Sequence, residues 1–173
     1  MTTEHLNPDT WAVANRALVR KALAEFIHER ILEPVATGNG YQLSGGTSQY
    51  TFTAKLYPLN HWEVDAASIE RFVDGQAAPV DALDFITEFH QQLGIGAEML
   101  PVYLEEISST LASASYKLSK PDLTASDLVA ADFQTIEAAM TEGHPCFVAN
   151  NGRLGFGATD YRAFAPETGK PCG

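Results

Sequence analysis

The stretch Tyr41–Val73, YQLSGGTSQYTFTAKLYPLNHWEVDAASIERFV, decides the fold. Short runs containing aromatic and β-branched residues (GYQLSG, QYTFTAKLY, HWEVD and SIERFV) alternate with GGTS, PLN and DAA, which suit turns. Tyr50-Thr51-Phe52-Thr53-Ala54-Lys55-Leu56 alternates in size and polarity, as a strand with one buried face does. An antiparallel meander of three or four strands is the simplest reading. On either side the period becomes helical. Asn7-Pro8 reads as an N-cap followed by proline at the first helical position, and Trp11, Ala14, Leu18, Ala22, Phe26 and Leu32 recur at near-helical spacing. This predicts a helix to about Leu32, ended by Pro34, with TGNG then reversing the chain. After the strands, Pro79 opens a second helix whose stripe is Val80, Leu83, Phe85, Ile86 and Phe89, broken at Leu93-Gly94-Ile95-Gly96. A third helix over Ala97 to Leu118 carries Leu100, Tyr103, Leu104, Ile107 and Leu111 on one face, with Pro101 in its tolerant first turn. Ser126 caps a fourth, running through Leu128, Ala131, Phe133, Ile136, Ala139 and Met140 to near Gly143. A long amino-terminal helix, a small antiparallel sheet, then a helical bundle segment and a glycine-rich loop make an α+β chain, read as one domain over 1–173.

Composition narrows the function. The 173 residues are 45% hydrophobic and 19% charged, enough to bury a core. Apolar runs are short and interrupted by charge, so none reaches the ~20 residues of a membrane-spanning helix. The polar start MTTEHLNPDTW lacks the layout of a signal peptide, which leaves a cytoplasmic location as the expectation. A net charge of −11, with Lys and Arg scattered, disfavours nucleic acid. Cys146 and Cys172 have no CxxC spacing and are read as reduced thiols. The histidines show no HExxH or similar ligand spacing, so no protein-held metal site is expected. Glu105 and Glu106 point to different helix faces and read as solvated. Trp11, Phe26, Tyr50, Phe52, Phe85 and Phe89 fit core positions better than stacking platforms.

The segment Glu142–Gly157, EGHPCFVANNGRLGFG, concentrates four glycines, a histidine, two asparagines and an arginine. Glycines let backbone N–H groups approach an anion, Asn adds donors, and Arg grips phosphate oxygens through paired hydrogen bonds. The spacing is neither GxxxxGK[ST] nor a strand-borne GxGxxG. Asn-Gly and Gly-Phe-Gly are equally ordinary hairpin punctuation, and Arg153 equally a strand residue or a brace to Asp160 or Glu167.

This segment, with Asp160-Tyr161 and Ala165-Pro166-Glu167, resembles the first signature of the IucA/IucC family of siderophore synthetases that work independently of non-ribosomal peptide synthetases. Upstream, Trp11-Ala12-Val13-Ala14-Asn15-Arg16, Lys21-Ala22-Leu23-Ala24-Glu25-Phe26, Tyr50-Thr51-Phe52, and Leu104-Glu105-Glu106-Ile107 through Thr110-Leu111 resemble the same amino-terminal region. The family's commonest form is GHPxHPxxKxRxG. Here Phe147 replaces the second His, Val148 the second Pro and Asn151 the Lys, which resembles the desferrioxamine and alcaligin subgroup.

The resemblance implies an ATP-dependent ligase that activates a carboxylate as its acyl-adenylate and passes it to an amine, here on N-hydroxy-N-succinyl-diamine precursors. Gly143, His144, Asn150, Asn151 and Arg153 would contact ATP, His144 at the phosphates. Mg2+ would come with the nucleotide. Family members are several hundred residues long and shaped as a cupped hand, so the residues that bind most of the nucleotide, Mg2+ and the carboxylate are expected beyond Gly173, and the chain reads as truncated. Apolar surface left by a missing palm leaves a homodimer open. No catalytic residue is assigned within the chain. The rival expectation is a non-catalytic binding or interaction domain derived from such an enzyme, and a blander one is an unrelated α+β domain with a glycine-rich hairpin.

Overall fold

A computed structural model of the chain describes residues 7–119 together with 129, 131, 136, 148 and 149. Among these, three α-helices and seven strands follow the order α1 (Pro8–His28), β1 (Val35–Thr37), β2 (Gly40–Gly45), β3 (Ser48–Phe52), β4 (Ala54–Tyr57), β5 (His61–Val64), β6 (Glu70–Val73), β7 (Gln76–Ala78), α2 (Ala82–Phe89) and α3 (Leu100–Leu118). The α+β class is as expected. The predicted fourth helix lies outside the described residues.

Helix α1 begins as its sequence requires. The Asn7 side chain accepts from the Asp9 N–H at 2.7 Å, and Pro8 occupies the first turn, where it forfeits no hydrogen bond. Its buried stripe is Ala14, Asn15, Leu18, Val19, Ala22, Leu23 and Ile27. The end differs from expectation. Arg30 turns left-handed at φ 58°, and the N–H groups of Ile31 and Leu32 both return to the Phe26 carbonyl, at 2.9 and 3.1 Å. Leu32 therefore reaches the core after the helix has closed, which is why its apolar spacing looks helical.

The meander is larger than three or four strands, and it is interrupted. One antiparallel sheet of five strands runs β1-β2-β3-β6-β7, and β4 with β5 forms a separate hairpin inserted between β3 and β6. The run QYTFTAKLY, expected as one strand, breaks at Thr53. The Thr53 N–H donates to Ser68 Oγ at 2.9 Å, and its carbonyl accepts from the Asp65 N–H at 3.0 Å. Loop atoms thus take the groups that would have continued the ladder, and β4 leaves the sheet. Strand β2 matches the expected GYQLSG, whereas the short edge strands β1 and β7 carry too little pattern to be seen in advance.

Helix α2 starts at Ala82 rather than at Pro79, because its first N–H groups are claimed there. Asp81 Oδ1 accepts from Leu83 and Asp84 at 2.8 and 3.1 Å, and Asn15 Oδ1 of α1 accepts from Ala82 at 2.8 Å. Helix α3 likewise starts at Leu100 and keeps Pro101 in its first turn. The core gathers Leu18, Val19 and Leu23 of α1, Leu43 of β2, Tyr50 and Phe52 of β3, Phe85, Ile86 and Phe89 of α2, and Ile107 and Leu111 of α3. Tyr50 meets Phe85 edge-on at 5.3 Å between ring centres, and Phe89 at 5.7 Å. Trp11 and Phe26 pack at its margin. Gly45 is there for space: a Cβ at that position would lie 2.8 Å from the Phe89 ring. No described helix is long and apolar enough to cross a membrane.

Candidate functional site

Gly143, His144, Asn150, Asn151 and Arg153 all lie outside the described residues. Within Glu142–Gly157, Val148 and Ala149 are described. Val148 is 5% exposed and belongs to the same apolar core as Phe85, Phe89, Ile107 and Leu111, while Ala149 packs against that core. These two residues thus pack with the scaffold.

The upstream blocks that carry the resemblance have structural work to do. Asn15 is 2% exposed and links two helices, donating to the Trp11 carbonyl at 3.1 Å and capping the start of α2. Arg16 Nη1 donates to the carbonyls of Ala66 and Ile69 at 3.0 and 2.6 Å, bracing the turn between β5 and β6. Ile107, Thr110 and Leu111 are buried on α3, and Thr110 returns its hydroxyl to the Glu106 carbonyl at 2.9 Å.

One polar cluster was not anticipated. Register places Tyr50 opposite Arg71 across β3 and β6, and the next helix brings Glu88 to both. Glu88 Oε2 accepts from the Tyr50 hydroxyl at 2.6 Å, and Oε1 accepts from Ser48 Oγ at 2.6 Å and from Arg71 Nε and Nη2 at 3.2 and 2.5 Å. Arg71 Nη1 also meets Asp84 Oδ2 at 2.8 Å and the Pro79 carbonyl at 3.0 Å. Burial pushes the Tyr50 hydroxyl far above the ordinary tyrosine range, and its bond to Glu88 and the charge of Glu88 push the same way. For Arg71, burial acts downward, but the Glu88 bond and the attraction of Tyr50, Glu88 and Asp84 outweigh it and the net direction is up. Both carboxylate oxygens of Glu88 are engaged, so the cluster reads as a clamp between sheet and α2 rather than a reactive group. The sequence offered a faint signal: Arg71 occupies an inward position of an alternating strand, and Glu88 adjoins Phe89 within an apolar stripe.

Two of the described histidines serve as braces. His28 Nδ1 bonds the Asn60 carbonyl at 2.9 Å and His90 Nδ1 the Ile95 carbonyl at 3.0 Å, while His61 lies exposed at the start of β5. A cleft of about 550 Å3 is lined by Thr53, Ala54, Lys55, Glu63, Val64, Asp65 and Ala66. Lys55 stands directly opposite Glu63 there, and Glu63 Oε2 accepts from the Tyr57 hydroxyl at 2.6 Å.

Comparison with known proteins adds what this geometry lacks. Residues 132–173 match the IucA / IucC family. The chain is 48% identical over 169 residues to putrebactin synthase of Shewanella sp. (strain MR-4), covering 95% of this chain and 27% of that protein. The fold superposes on aerobactin synthetase IucC of Klebsiella pneumoniae with a TM-score of 0.78 and 27% identity, over 92% of this chain and 29% of that one. ATP-bound aerobactin synthetase IucA of the same organism shares the fold at a TM-score of 0.59 and 14% identity, over 90% of this chain and 29% of that one. The chain spans about a quarter of the length of the curated relatives it matches. It belongs to the IucA/IucC family of siderophore synthetases and corresponds to their amino-terminal portion.

Proposed function

We propose that residues 1–173 form one α+β unit, the ATP-contacting amino-terminal region of a cytoplasmic synthetase that builds a hydroxamate siderophore. The observation that carries this reading is the 48% identity to putrebactin synthase across nearly the whole chain. In the reaction, the carboxylate of an N-hydroxy-N-succinyl-diamine attacks the α-phosphorus of ATP, pyrophosphate leaves, and an amine then displaces AMP to form the amide. Little covalent chemistry falls to this part of the protein. Its work is alignment of the phosphates and stabilisation of the charge that grows on their oxygens. His144 supplies a donor, neutral or cationic, Arg153 a cationic donor, Asn150 and Asn151 amide donors, and Gly143 a close backbone approach. Mg2+ accompanies the phosphates, held by them and by the remainder of the synthetase.

A chimaera tests the proposal: residues 1–173 replace the matching segment of the Shewanella synthase, and ATP–pyrophosphate exchange is followed with N-hydroxy-N-succinyl-putrescine and its cadaverine counterpart. Exchange that depends on the carboxylate and falls when His144 becomes Ala supports it. A folded chimaera with no exchange on any hydroxamate precursor sinks it.

The alternative is a non-catalytic binding or interaction domain of the same descent. It expects residues 1–173 alone to bind nucleotide weakly and to make no amide, since one wall of a two-walled site lacks preorganisation. Amide synthesis by residues 1–173 alone contradicts it.

A further inference from the structure

We propose that Asn39 is a modification site, a spontaneously deamidating residue that makes the β1–β2 turn a one-way switch adding negative charge at the sheet edge. Thr37-Gly38-Asn39-Gly40 joins the two strands, with Thr37 opposite Gly40 in the register. Asn39 is exposed, and a Cβ placed on Gly38 would meet nothing within 4 Å, so the turn stands clear of the rest of the molecule. The four described asparagines differ in how their side chains are held. Asn7, Asn15 and Asn60 commit theirs to hydrogen bonds of 2.7 to 3.1 Å, whereas Asn39 makes no side-chain hydrogen bond among the described residues. Its amide is free to turn towards the next backbone nitrogen. That nitrogen belongs to Gly40, where no side chain obstructs the approach. The fold requires glycine there: a Cβ at Gly40 would collide with the Phe52 carbonyl oxygen, a backbone atom of the neighbouring strand β3. The residue that lets β2 seat against β3 therefore also makes Asn39 labile.

In the reaction the Gly40 nitrogen gives its proton to hydroxide and attacks Asn39 Cγ. A C–N bond forms, the Cγ–Nδ2 bond breaks, and ammonia leaves with a proton from water. Water then opens the five-membered imide at either carbonyl, leaving aspartate or isoaspartate; one water is consumed, one ammonia is released, and no electrons are exchanged with a partner. Ring closure requires the Thr37–Gly40 pair to part. Strand β1 is three residues long, exposed throughout and on the sheet edge, so that parting is local. Isoaspartate lengthens the main chain at the turn, which breaks the register of Val35–Thr37 against β2 and leaves β2 as the edge.

Residues 1–173 are held at mildly alkaline pH and mapped by peptide mass spectrometry, beside a synthetic peptide of residues 35–43. Asn39 is expected to gain the mass of an amide-to-acid change at least tenfold faster than Asn7, Asn15 and Asn60. The rate is expected to rise with hydroxide and to lie no more than about a hundredfold below that of the peptide. Asn151-Gly152 is read in its own peptide. Hydrogen exchange at 35–37 is expected to speed up at least fivefold in the isoaspartate form. It is expected to stay at the native rate in Asn39→Gln aged alongside, because a longer side chain closes its ring far more slowly. A smaller lead over the other asparagines, or a rate further below the peptide, would show that the folded turn shields the pair and overturns the proposal. Unchanged exchange at 35–37 after conversion overturns the switch.

Discussion

Two hairpins of this chain are held to the helices by opposite means. The β2–β3 hairpin packs Leu43, Tyr50 and Phe52 into the core and is locked by charge: Glu88 of α2 receives hydrogen bonds from Ser48, Tyr50 and Arg71 in a part-buried cluster. The β4–β5 hairpin leaves Leu56, Tyr57 and Leu59 exposed, buries Trp62 and Val64 in the core, and is clasped to the end of α1 by neutral hydrogen bonds from Asn60. Asn60 Nδ2 donates to the carbonyls of Ile27 and His28 at 3.1 and 2.9 Å, its Oδ1 accepts from Trp62 Nε1 at 3.0 Å, and its own carbonyl meets His28. Asn60 thereby caps the end of α1 from a distant turn. A charged clamp is unforgiving because a lone partner is stranded in low dielectric; a neutral clasp fails gently because water takes over its bonds.

The largest effect is therefore expected at Glu88. Glu88→Ala leaves Arg71 with only Asp84, whose side chain is 53% exposed, and strands two hydroxyls, so a loss of ~3 kcal/mol is expected, the low end for breaking a buried pair. Urea unfolding measures it, and a loss below ~1 kcal/mol would show that water reaches the cluster. Asn60→Ala should come second. It removes the cap of α1 and the partner of Trp62 but leaves groups near the surface, for ~2 kcal/mol at an unchanged denaturant slope.

Tyr50→Phe separates hydrogen bond from charge within the tighter hairpin. Deleting one hydroxyl donor is expected to cost ~1 kcal/mol at neutral pH, the usual net value of such a bond. The pH dependence has a definite sign. Because the folded-state pKa of Tyr50 is raised, its contribution is complete below the ordinary tyrosine value and is lost as pH rises above ~10, where the unfolded chain ionises first. Tyr57, bonded to Glu63, and Tyr103, buried, are shifted in the same direction, so the test is the difference between the native chain and the Tyr50→Phe variant over about pH 9–11. Parallel curves would remove Tyr50 from the alkaline limb.

These clamps explain what the sequence could and could not reveal. The start of α1 was legible because Asn7 and Pro8 act within one turn of themselves, and the stripes of α2 and α3 because a buried helix face repeats. Leu32 misled because burial alone does not say which backbone delivers it. The break at Thr53 was invisible: the alternation runs through it unchanged, and the groups that end β3 belong to Asp65 and Ser68, more than ten residues away. Arg71 and Glu88 become neighbours only through register and helix docking, so no local pattern announces them. The candidate site was read from residue types and a resemblance alone. Gly143, His144, Asn150, Asn151 and Arg153 stand out by type and spacing, but the described residues reach them only at Val148 and Ala149, and the family match over 132–173 carries that segment instead.

The smallest effect should have the opposite sign. Leu59, at the tip of the looser hairpin, is left-handed at φ 62° and 92% exposed, so it bears strain and returns almost no burial. The left-handed conformation costs an ordinary residue ~1–2 kcal/mol. Glycine avoids that cost but gives up ~0.5–1 kcal/mol of unfolded-state entropy. Leu59→Gly is accordingly expected to raise stability by ~0.5 kcal/mol in the isolated chain, the difference between these two terms. Asn60, left-handed at φ 58°, gains nothing from the same change, because its side chain holds α1. The pair thus separates strain from bonding within one turn. A thermal midpoint that falls in Leu59→Gly would show that the tip is rigid through contacts of Leu59 itself, and the clasp would then be shared rather than the work of Asn60 alone.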